Sequence, residues 1–202
     1  MSLRSCARLL PISLALVAGS ALAINAGTSA PDFSIADANG KTVKLSDYKG
    51  KFVVLEWTNP ECPFVRAQYN AEAMQAVQKE AGAKDVVWLT VNSTNKSNGE
   101  FKSGAEMNKW MKDKGAAQNA ILIDATSATG RAYDAKTTPH MFVINPAGTI
   151  VYAGAIDDKR SARESDRKTA NNYVRAALNE ATAGKPVTVA STTPYGCSVK
   201  YD

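Results

Sequence analysis

The sequence has few cysteine and histidine residues, the side chains that most often form structural zinc sites and, for cysteine, disulfides. Its 202 residues include three cysteines and one histidine, His140. No Cys-x-x-Cys motif is present, because the third residue after Cys62 is Val65. A lone histidine is more often packed or exposed than metal-bound, since protein metal sites gather several ligands. We therefore expect neither a bound metal nor a cofactor.

The sequence also lacks an apolar run long enough to cross a bilayer comfortably. Its most apolar stretch, residues 9–18, has about half the length of a membrane-spanning helix. It follows Arg4 and Arg8 and precedes the Ala-Leu-Ala of residues 21–23, which resembles a signal-peptide cleavage site. This pattern predicts that residues 1–23 are a cleaved signal peptide and that the mature chain is exported without a membrane anchor. In a bacterium with two membranes, the expected location is the periplasm.

A block of basic residues is missing as well. Removal of residues 1–23 takes away two of the 24 basic side chains and none of the 19 acidic ones, so the net charge falls from +5 to +3. Such a mild excess gives no reason to expect a nucleic-acid partner. Cys6 leaves with the signal peptide. The two remaining cysteines, Cys62 and Cys197, would lie in an oxidising compartment where a disulfide persists.

The rest of the sequence alternates between strand and helix patterns. Strands are expected at residues 30–35, 41–45, 51–57, 85–91, 120–124, 141–145 and 149–153. Helices are expected at residues 63–80, 103–114, 128–135 and 169–183. The charged segment 157–168 is expected to be a solvated loop or a frayed helix start, and residues 187–202 a tail with little structure. This order predicts one α/β domain, residues 24–186, built around a mixed sheet.

That order, with a cysteine where the first long helix starts, resembles the thioredoxin superfamily. Residues 30–41 (APDFSIADANGK) and 45–51 (LSDYKGK) are similar to the redoxin branch. This branch holds peroxiredoxins of the alkyl hydroperoxide reductase and thiol-specific antioxidant type and exported thioredoxin-like reductases. The resemblance covers residues 28–185. It implies a thioredoxin-like three-layer α/β/α sandwich with an N-terminal β-hairpin extension, and a thiol-dependent oxidoreductase.

Cys62 is the candidate nucleophile. It lies between the strand expected at residues 51–57 and the helix that begins at Pro63. Free backbone N–H groups and the helix dipole at such a position lower the pKa of a thiol and favour the reactive thiolate. Pro63 suits the first helical position, because its missing N–H costs nothing there. The competing interpretation is a buried structural thiol.

Glu56 interrupts an apolar strand six residues before Cys62. Thioredoxins carry a buried acid at this spacing, and the resemblance implies that Glu56 moves protons as a disulfide opens. A buried carboxyl has a raised pKa, so it can take up and return a proton near neutral pH. The competing interpretation is an outward-facing glutamate that pairs with a lysine.

Thr138 and Pro139 resemble the residues before and at the superfamily's cis-proline. The resemblance implies that they face Cys62 and offer backbone hydrogen bonds to an extended substrate. Most X-Pro bonds are trans, so the sequence alone does not show the isomer. The expected substrate-binding residues are Thr138, Pro139, Pro63, Arg66 and Asn59.

Two further side chains near these positions are weaker candidates. Arg66 lies one helical turn after Cys62, where it can stabilise a thiolate or an anionic leaving group, and an exposed helix arginine is an equal alternative. His140 follows Pro139 directly and is a candidate for contact with the site.

Cys197 is the only other cysteine of the mature chain, so it is the candidate resolving thiol. In such a cycle Cys62 attacks a peroxide or a disulfide, and Cys197 then displaces the product and closes a Cys62–Cys197 bond. One alternative is a permanent structural bridge, worth roughly 4–5 kcal/mol in the chain-entropy treatment. Another is a non-catalytic binding module in which Cys62, His140 and Met141 gather a soft metal.

The residues before Cys62 leave the oxidising substrate open. Peroxiredoxins carry P-x-x-x-[TS]-x-x-C, whereas here Asn59 stands three residues before the cysteine, flanked by Thr58 and Pro60. This departure argues against a peroxidase, although an Asn or a Thr can polarise a peroxide oxygen. The Cys-Pro-x-x-Arg-Ala helix start and Glu56 resemble the exported reductases. We expect a peroxide or disulfide substrate and an unidentified thiol reductant.

Overall fold

The computed structural model describes residues 25–202, so the expected signal peptide at residues 1–23 lies outside the described residues. The strands are β1 (Ser34–Ala36), β2 (Thr42–Lys44), β3 (Val53–Trp57), β4 (Val87–Asn92), β5 (Ala120–Ile123), β6 (Thr137–Thr138), β7 (His140–Ile144), β8 (Ile150–Gly154) and β9 (Cys197–Ser198). The α-helices are α1 (Pro63–Asn70), α2 (Ala73–Gly82), α3 (Gly104–Asp113), α4 (Ala128–Ala132) and α5 (Tyr173–Thr182). Two 3-10 helices span Leu45–Tyr48 and Glu164–Thr169.

A five-stranded mixed sheet forms the centre of the fold, with the strand order β5-β4-β3-β7-β8. Strands β3, β4 and β5 are parallel, whereas β7 is antiparallel to both β3 and β8. Every residue of β3, β4 and β7 is buried. These strands are apolar along most of their length, as strands covered on both faces must be.

Two hydrophobic clusters cover the two faces of this sheet. Side chains of α1, α2, α3 and α5 pack on one face, around Val54 and Met141. The β1–β2 hairpin, the first 3-10 helix and the segment after α4 pack on the other face, around Leu55 and Phe142. Successive strand residues point to opposite faces, which assigns Val54 and Leu55 to different clusters. The expected three-layer α/β/α sandwich with a mixed sheet and an N-terminal β-hairpin is confirmed.

The single helix expected at residues 63–80 is instead two helices. Glu72, between α1 and α2, has a left-handed backbone with φ +57°. Tyr69 and Met74 are both buried on the two sides of this break. In an unbroken helix, residues five apart would point about 140° away from each other, so only a break lets both face the core. The Gln75 side chain then donates to the Tyr69 carbonyl oxygen at 2.8 Å.

The expectation that residues 157–168 are a solvated segment is wrong at two positions. Asp157 and Arg167 are 3% and 7% exposed, and the Arg167 Nη1 atom lies 2.7 Å from Asp157 Oδ2. The alternating charges of this segment do not predict a buried ion pair, because burial of the pair depends on partners elsewhere in the chain. The segment ends in the 3-10 helix Glu164–Thr169, which agrees with the expected helix start and not with a loop.

The tail, residues 187–202, is more ordered than its sequence indicates. Its strand β9 pairs with β6 in antiparallel orientation. Beyond β9, the Lys200 carbonyl oxygen accepts from the Asn95 N–H at 2.8 Å, and the Tyr201 hydroxyl donates to the Ala135 carbonyl oxygen at 2.6 Å. Among residues 25–202, no helix combines the length and apolar character needed to span a bilayer.

Candidate active site

Cys62 is the N-cap residue of α1 and is 2% exposed. The buried strand β3 ends at Trp57, and the Cys62 N–H donates to the Asn59 carbonyl oxygen at 3.0 Å in the turn that follows. The Arg66 N–H donates to the Cys62 carbonyl oxygen at 3.0 Å and so closes the first helical turn. The expected position at a strand-to-helix junction is therefore confirmed, with Pro63 as the first helical residue.

Thr138 and Pro139 lie directly against Cys62. The Thr138–Pro139 peptide bond is cis, as the resemblance implies. The Cys62 thiol donates to the Thr138 carbonyl oxygen, with Sγ and O separated by 3.0 Å. Both Thr138 and Cys62 are buried, so the sulfur has little contact with solvent in this arrangement. A substrate-binding role for Thr138 and Pro139 remains a prediction.

The tail brings Cys197 to the same place. Thr138 and Cys197 are register partners in the β6–β9 pair. Gly196, with φ +139°, allows this approach, because a Cβ atom there would lie 2.0 Å from the Thr138 carbonyl oxygen. Both cysteines are free thiols. Burial, a hydrogen bond with Cys62 and the negative charge of a Cys62 thiolate raise the pKa of Cys197 well above its usual value.

Glu56 is fully buried on the sheet face that carries Cys62. Burial raises the pKa of its carboxyl to about 7, and four hydrogen bonds that favour the carboxylate limit the rise. The donors are Tyr69 Oη, Gln78 Nε2, Trp88 Nε1 and Thr90 Oγ1, at distances of 2.8, 3.3, 2.8 and 3.2 Å. An outward-facing glutamate paired with a lysine is thus wrong. The hydrogen bonds of Glu56 run to these four side chains, so proton transfer to a cysteine would be indirect.

The polar groups of Asn59 and Arg66 are already bonded within the turn. Asn59 Nδ2 donates to Glu100 Oε2 at 2.8 Å, and its Oδ1 accepts from the Glu61 N–H at 2.8 Å. Arg66 Nε donates to the Pro60 carbonyl oxygen at 2.6 Å, and its Nη2 pairs with Glu61 Oε2 at 2.5 Å. In this arrangement the two side chains shape the loop before Cys62.

His140 belongs to the opposite face of the sheet. Its ring centre lies 4.5 Å from that of Phe142, and its Nδ1 accepts from the Lys136 N–H at 3.2 Å. Burial lowers the pKa of His140 to about 4, so the ring is neutral near pH 7. Met141 packs in the cluster that contains Cys62. Since adjacent strand residues point to opposite faces, the structure does not gather Cys62, His140 and Met141 as a metal site.

No group of three or more His, Cys, Asp or Glu side chains within residues 25–202 is arranged to hold a metal ion. A cleft of about 290 Å³ lies beside the loop before Cys62. Its lining includes Pro60, Glu61 and Arg66 from the active-site turn, and Lys102, Lys109 and Trp110 from the α3 region. The cleft therefore offers a mixed-charge, partly aromatic surface next to the cysteine turn.

Sequence reasoning missed three residues that hold the tail. Tyr195 lies two residues before Cys197, and its hydroxyl contacts both Asp157 and Arg167. The sequence Pro194-Tyr195-Gly196-Cys197 drew attention to the tail, but nothing in it points to an acidic or basic partner. The three residues are neighbours only in the folded chain, where the tail packs beside the segment that contains Asp157 and Arg167.

Comparisons with known proteins agree with this geometry. The model of the AhpC/TSA family matches residues 26–153, well over half of the chain. This range contains Cys62, Glu56 and Thr138 and ends before Cys197. The chain is 31% identical over 128 residues to the thiol-disulfide oxidoreductase ResA of Bacillus subtilis, covering 63% of this chain. The match spans 66% of the ResA protein, just under two thirds of its length.

Two solved structures share the fold over most of its length. An uncharacterized conserved protein from Geobacillus kaustophilus has a TM-score of 0.76 and 26% identity, covering 89% of this chain and 93% of that one. A hypothetical protein from Sinorhizobium meliloti also has a TM-score of 0.76, with 24% identity, covering 89% and 96% of the two chains. The family match and the ResA similarity support the expected thiol-dependent oxidoreductase. The expected redoxin of the thioredoxin superfamily is confirmed, and the chain belongs to the AhpC/TSA family.

Proposed function

We propose that this protein is a thiol-disulfide oxidoreductase in which Cys62 is the nucleophile and Cys197 the resolving thiol. The pairing of Cys197 with Thr138 carries this proposal, because the Thr138 carbonyl oxygen also accepts from the Cys62 thiol. A second thiol held at the nucleophile replaces the one that a Cys-x-x-Cys motif would supply. The similarity to ResA supports a disulfide as the substrate class.

In the first step, the Cys62 thiolate attacks one sulfur of an external disulfide. A bond forms between Cys62 and that sulfur, the external bond breaks, and the other sulfur leaves as a thiolate. The attacking sulfur belongs to the N-cap residue of α1, the end of the helix where the helix dipole is positive. Glu56 is the proposed proton reservoir, because a carboxyl with a pKa of about 7 exchanges a proton at little cost near neutral pH.

In the second step, the Cys197 thiolate attacks the Cys62 sulfur of the mixed disulfide. The Cys62–Cys197 bond forms, and the remaining half of the substrate leaves as a thiolate. The order of the steps follows from the neighbouring charge. Burial raises the pKa of Cys197, and a hydrogen bond with Cys62 and the charge of a Cys62 thiolate raise it further, so Cys197 becomes easier to ionise, though still largely protonated near pH 7, after Cys62 has reacted. An unidentified thiol reductant then reopens the disulfide.

A disulfide suits this site better than a peroxide. A peroxidase needs groups that polarise the peroxide oxygens beside the reactive sulfur. Asn59 is bonded to Glu100 and Glu61, and Arg66 to Glu61 and the Pro60 carbonyl, whereas the buried Thr58 hydroxyl has no hydrogen-bond partner among the described residues. The polar groups of Asn59 and Arg66 are therefore used within the loop, which favours the disulfide reaction and leaves Thr58 as the peroxide-polarising candidate.

The proposed setting is the periplasm, after removal of residues 1–23. There the two mature cysteines are exposed to oxidants that a cytosolic protein seldom meets. The substrate-binding role proposed for Thr138, Pro139 and Pro63 rests on their contact with Cys62 or their position beside it. The competing function is a binding module in which a Cys62–Cys197 bridge is permanent.

The test is a single-turnover reaction of the fully reduced protein with oxidised glutathione, quenched with an alkylating agent and followed by intact mass. The wild-type protein is expected to lose two protons without retaining glutathione. Cys197→Ser is expected to stop at a glutathione adduct on Cys62, and Cys62→Ser to react no faster than free cysteine.

Hydrogen peroxide in place of glutathione separates the two substrate classes. Rapid oxidation by peroxide, with slow reaction towards glutathione, would refute the disulfide reaction and identify a peroxidase. A Cys62–Cys197 bond that resists excess dithiothreitol would establish the permanent bridge instead.

A further inference from the structure

The tail is anchored by Tyr195, two residues before Cys197. Of residues 187–202, all of which the structure describes, Tyr195 is the one that is buried, with 4% exposure. Its ring packs edge-on against Phe64, with the ring centres 5.8 Å apart. Phe64 belongs to the first turn of α1, the helix that Cys62 begins. The tail is therefore docked on the same helix start that carries the proposed nucleophile.

The Tyr195 hydroxyl joins a buried ion pair. It donates to Asp157 Oδ1 at 2.5 Å and accepts from Arg167 Nη1 at 2.9 Å. The side chains of Arg167 and Asp157 are 1% and 2% exposed and lie 2.7 Å apart. Gln68 of α1 also donates to Asp157 Oδ2, at 2.6 Å. Asp157, Arg167 and Tyr195 form what we term the tail latch.

Burying the charged groups of the tail latch costs free energy, so we ask what the buried pair contributes besides stability. Taking two charges out of water offsets most of their attraction, so a buried ion pair contributes little net stability compared with apolar side chains. Its strong directional hydrogen bonds, in contrast, fix the position of the groups that they join. Here the joined group is the tail at Tyr195, and Arg167 is itself fixed by the Lys159 and Ser161 carbonyl oxygens at 2.8 and 3.1 Å.

We propose that Asp157 and Arg167 are positioning residues that act through Tyr195 to hold Cys197 against Cys62, and so set the rate of the second, disulfide-closing step. This inference rests on the proposed function. The chemistry of the first step belongs to Cys62 and the start of α1, and a looser tail uncovers Cys62 and does not slow its attack. In the second step, the latch governs how often the Cys197 sulfur is in place when the mixed disulfide forms, which is a matter of proximity and orientation.

A chromogenic aromatic disulfide, dithiobis(nitrobenzoate), separates the two steps in one stopped-flow trace. Attack by Cys62 forms a mixed disulfide and releases the first nitrothiobenzoate. Attack by Cys197 forms the Cys62–Cys197 bond and releases the second. Two protein thiols thus lose two protons, and the reagent takes up two electrons. The ratio of the two rates reports on tail positioning within the same molecule.

Tyr195→Phe removes the hydroxyl and keeps the ring against Phe64. Its matched control is Tyr201→Phe, which removes a tail hydroxyl bonded to the Ala135 carbonyl oxygen on the other side of Cys197. Tyr195→Phe is expected to slow the second release about tenfold or more, as loss of a hydrogen bond to charged partners predicts, with the first release not slowed. Tyr201→Phe is expected to change the second release by no more than about threefold.

Asp157→Asn provides a second variant, because it weakens the same contact from the other side. It is expected to slow the second release at least as much as Tyr195→Phe. Equal rates of closure in Tyr195→Phe and wild type, equal slowing of both releases, or equal slowing in Tyr201→Phe would each overturn the proposal. A wild-type protein that shows no Cys197-dependent second release would refute the proposed function itself, and the two failures are therefore distinct.

Discussion

Cys197 faces Thr138 across the short β6–β9 pair, and the Thr138 carbonyl oxygen accepts a hydrogen bond from the Cys62 thiol. One backbone residue thus contacts two cysteines from distant parts of the sequence, one at the start of α1 and one in the tail. The proposed nucleophile is covered in this reduced arrangement, since Cys62 is 2% exposed. Because Cys62 is buried, we expect an external disulfide to reach it after the tail moves, so the attachment of the tail would affect both access to Cys62 and closure of the disulfide.

Gly196→Ala is expected to loosen the tail. The added Cβ would lie 2.0 Å from the Thr138 carbonyl oxygen, and φ +139° is strained for alanine. In a Cys197→Ser background, the alkylation rate of Cys62 by a maleimide is expected to rise about fivefold or more, as a strain of about 1–3 kcal/mol predicts. Gly184→Ala is the control, because Gly184 also has a positive φ but no atom within 4 Å of the added Cβ. Equal alkylation rates in the two variants would contradict the prediction.

Glu56→Gln is expected to change how stability depends on pH. Burial raises the Glu56 pKa from 4.5 to about 7, so between these values the unfolded chain loses a proton that the folded protein keeps. The free energy of unfolding therefore falls as pH rises through this window, by about 1.4 kcal/mol per pH unit and about 3 kcal/mol in all. Stability is greatest, with respect to this group, below pH 4.5.

Urea unfolding at stepped pH measures this effect. The Gln variant lacks the titrating proton, so its stability should decline less than that of the wild type across the same window. The exposed Glu72, replaced by glutamine, is the control and should reproduce the wild-type slope. Parallel curves for wild type and Glu56→Gln would show that this carboxyl does not titrate as described.

Arg167→Met is expected to destabilise the protein strongly. It leaves the Asp157 carboxylate buried without its charged partner, which typically costs about 3–5 kcal/mol in the free energy of unfolding. Arg175→Met is the matched control, because Arg175 pairs with Glu80 at 2.6 Å on the surface, where the two side chains are 39% and 48% exposed. Loss of such a pair costs about 0–1 kcal/mol. Similar denaturation midpoints for the two variants would argue against a buried latch.

The closing step is expected to accelerate with pH. The Cys197 pKa is raised mainly by burial, so its reactive thiolate is scarce at neutral pH. Below the pKa the thiolate fraction grows about tenfold per pH unit, and the second nitrothiobenzoate release should follow it between about pH 7 and about pH 9. A second release that is constant across this range would mean that Cys197 is already ionised once Cys62 has reacted.

Local patterns were sufficient for much of the fold and for one half of the site. The apolar β3 strand followed by Cys62 and Pro63 identifies a buried strand, a turn and a helix start. Glu56 stands out because it is an acid inside that apolar strand. These predictions succeed because a buried strand and a helix start are each indicated by a pattern of residues that are adjacent in sequence.

The other half of the site depends on contacts between distant residues. The sequence nominated Cys197 by elimination, as the last cysteine of the mature chain, and its position beside Cys62 became visible only when β9 paired with β6. The burial of the Asp157–Arg167 pair could not be predicted from residues 157–168. A segment of alternating charges has the same sequence pattern whether all of it is exposed or two of its charges form a buried pair. Tyr195, 38 residues after Asp157, is the distant hydrogen-bond partner that the local pattern does not indicate. Local patterns and the family resemblance were enough to predict a redoxin fold with a candidate nucleophile at a helix start. Which thiol and which buried charges lie beside that cysteine is visible only in the folded chain, since burial of a polar group depends on partners from distant parts of the sequence.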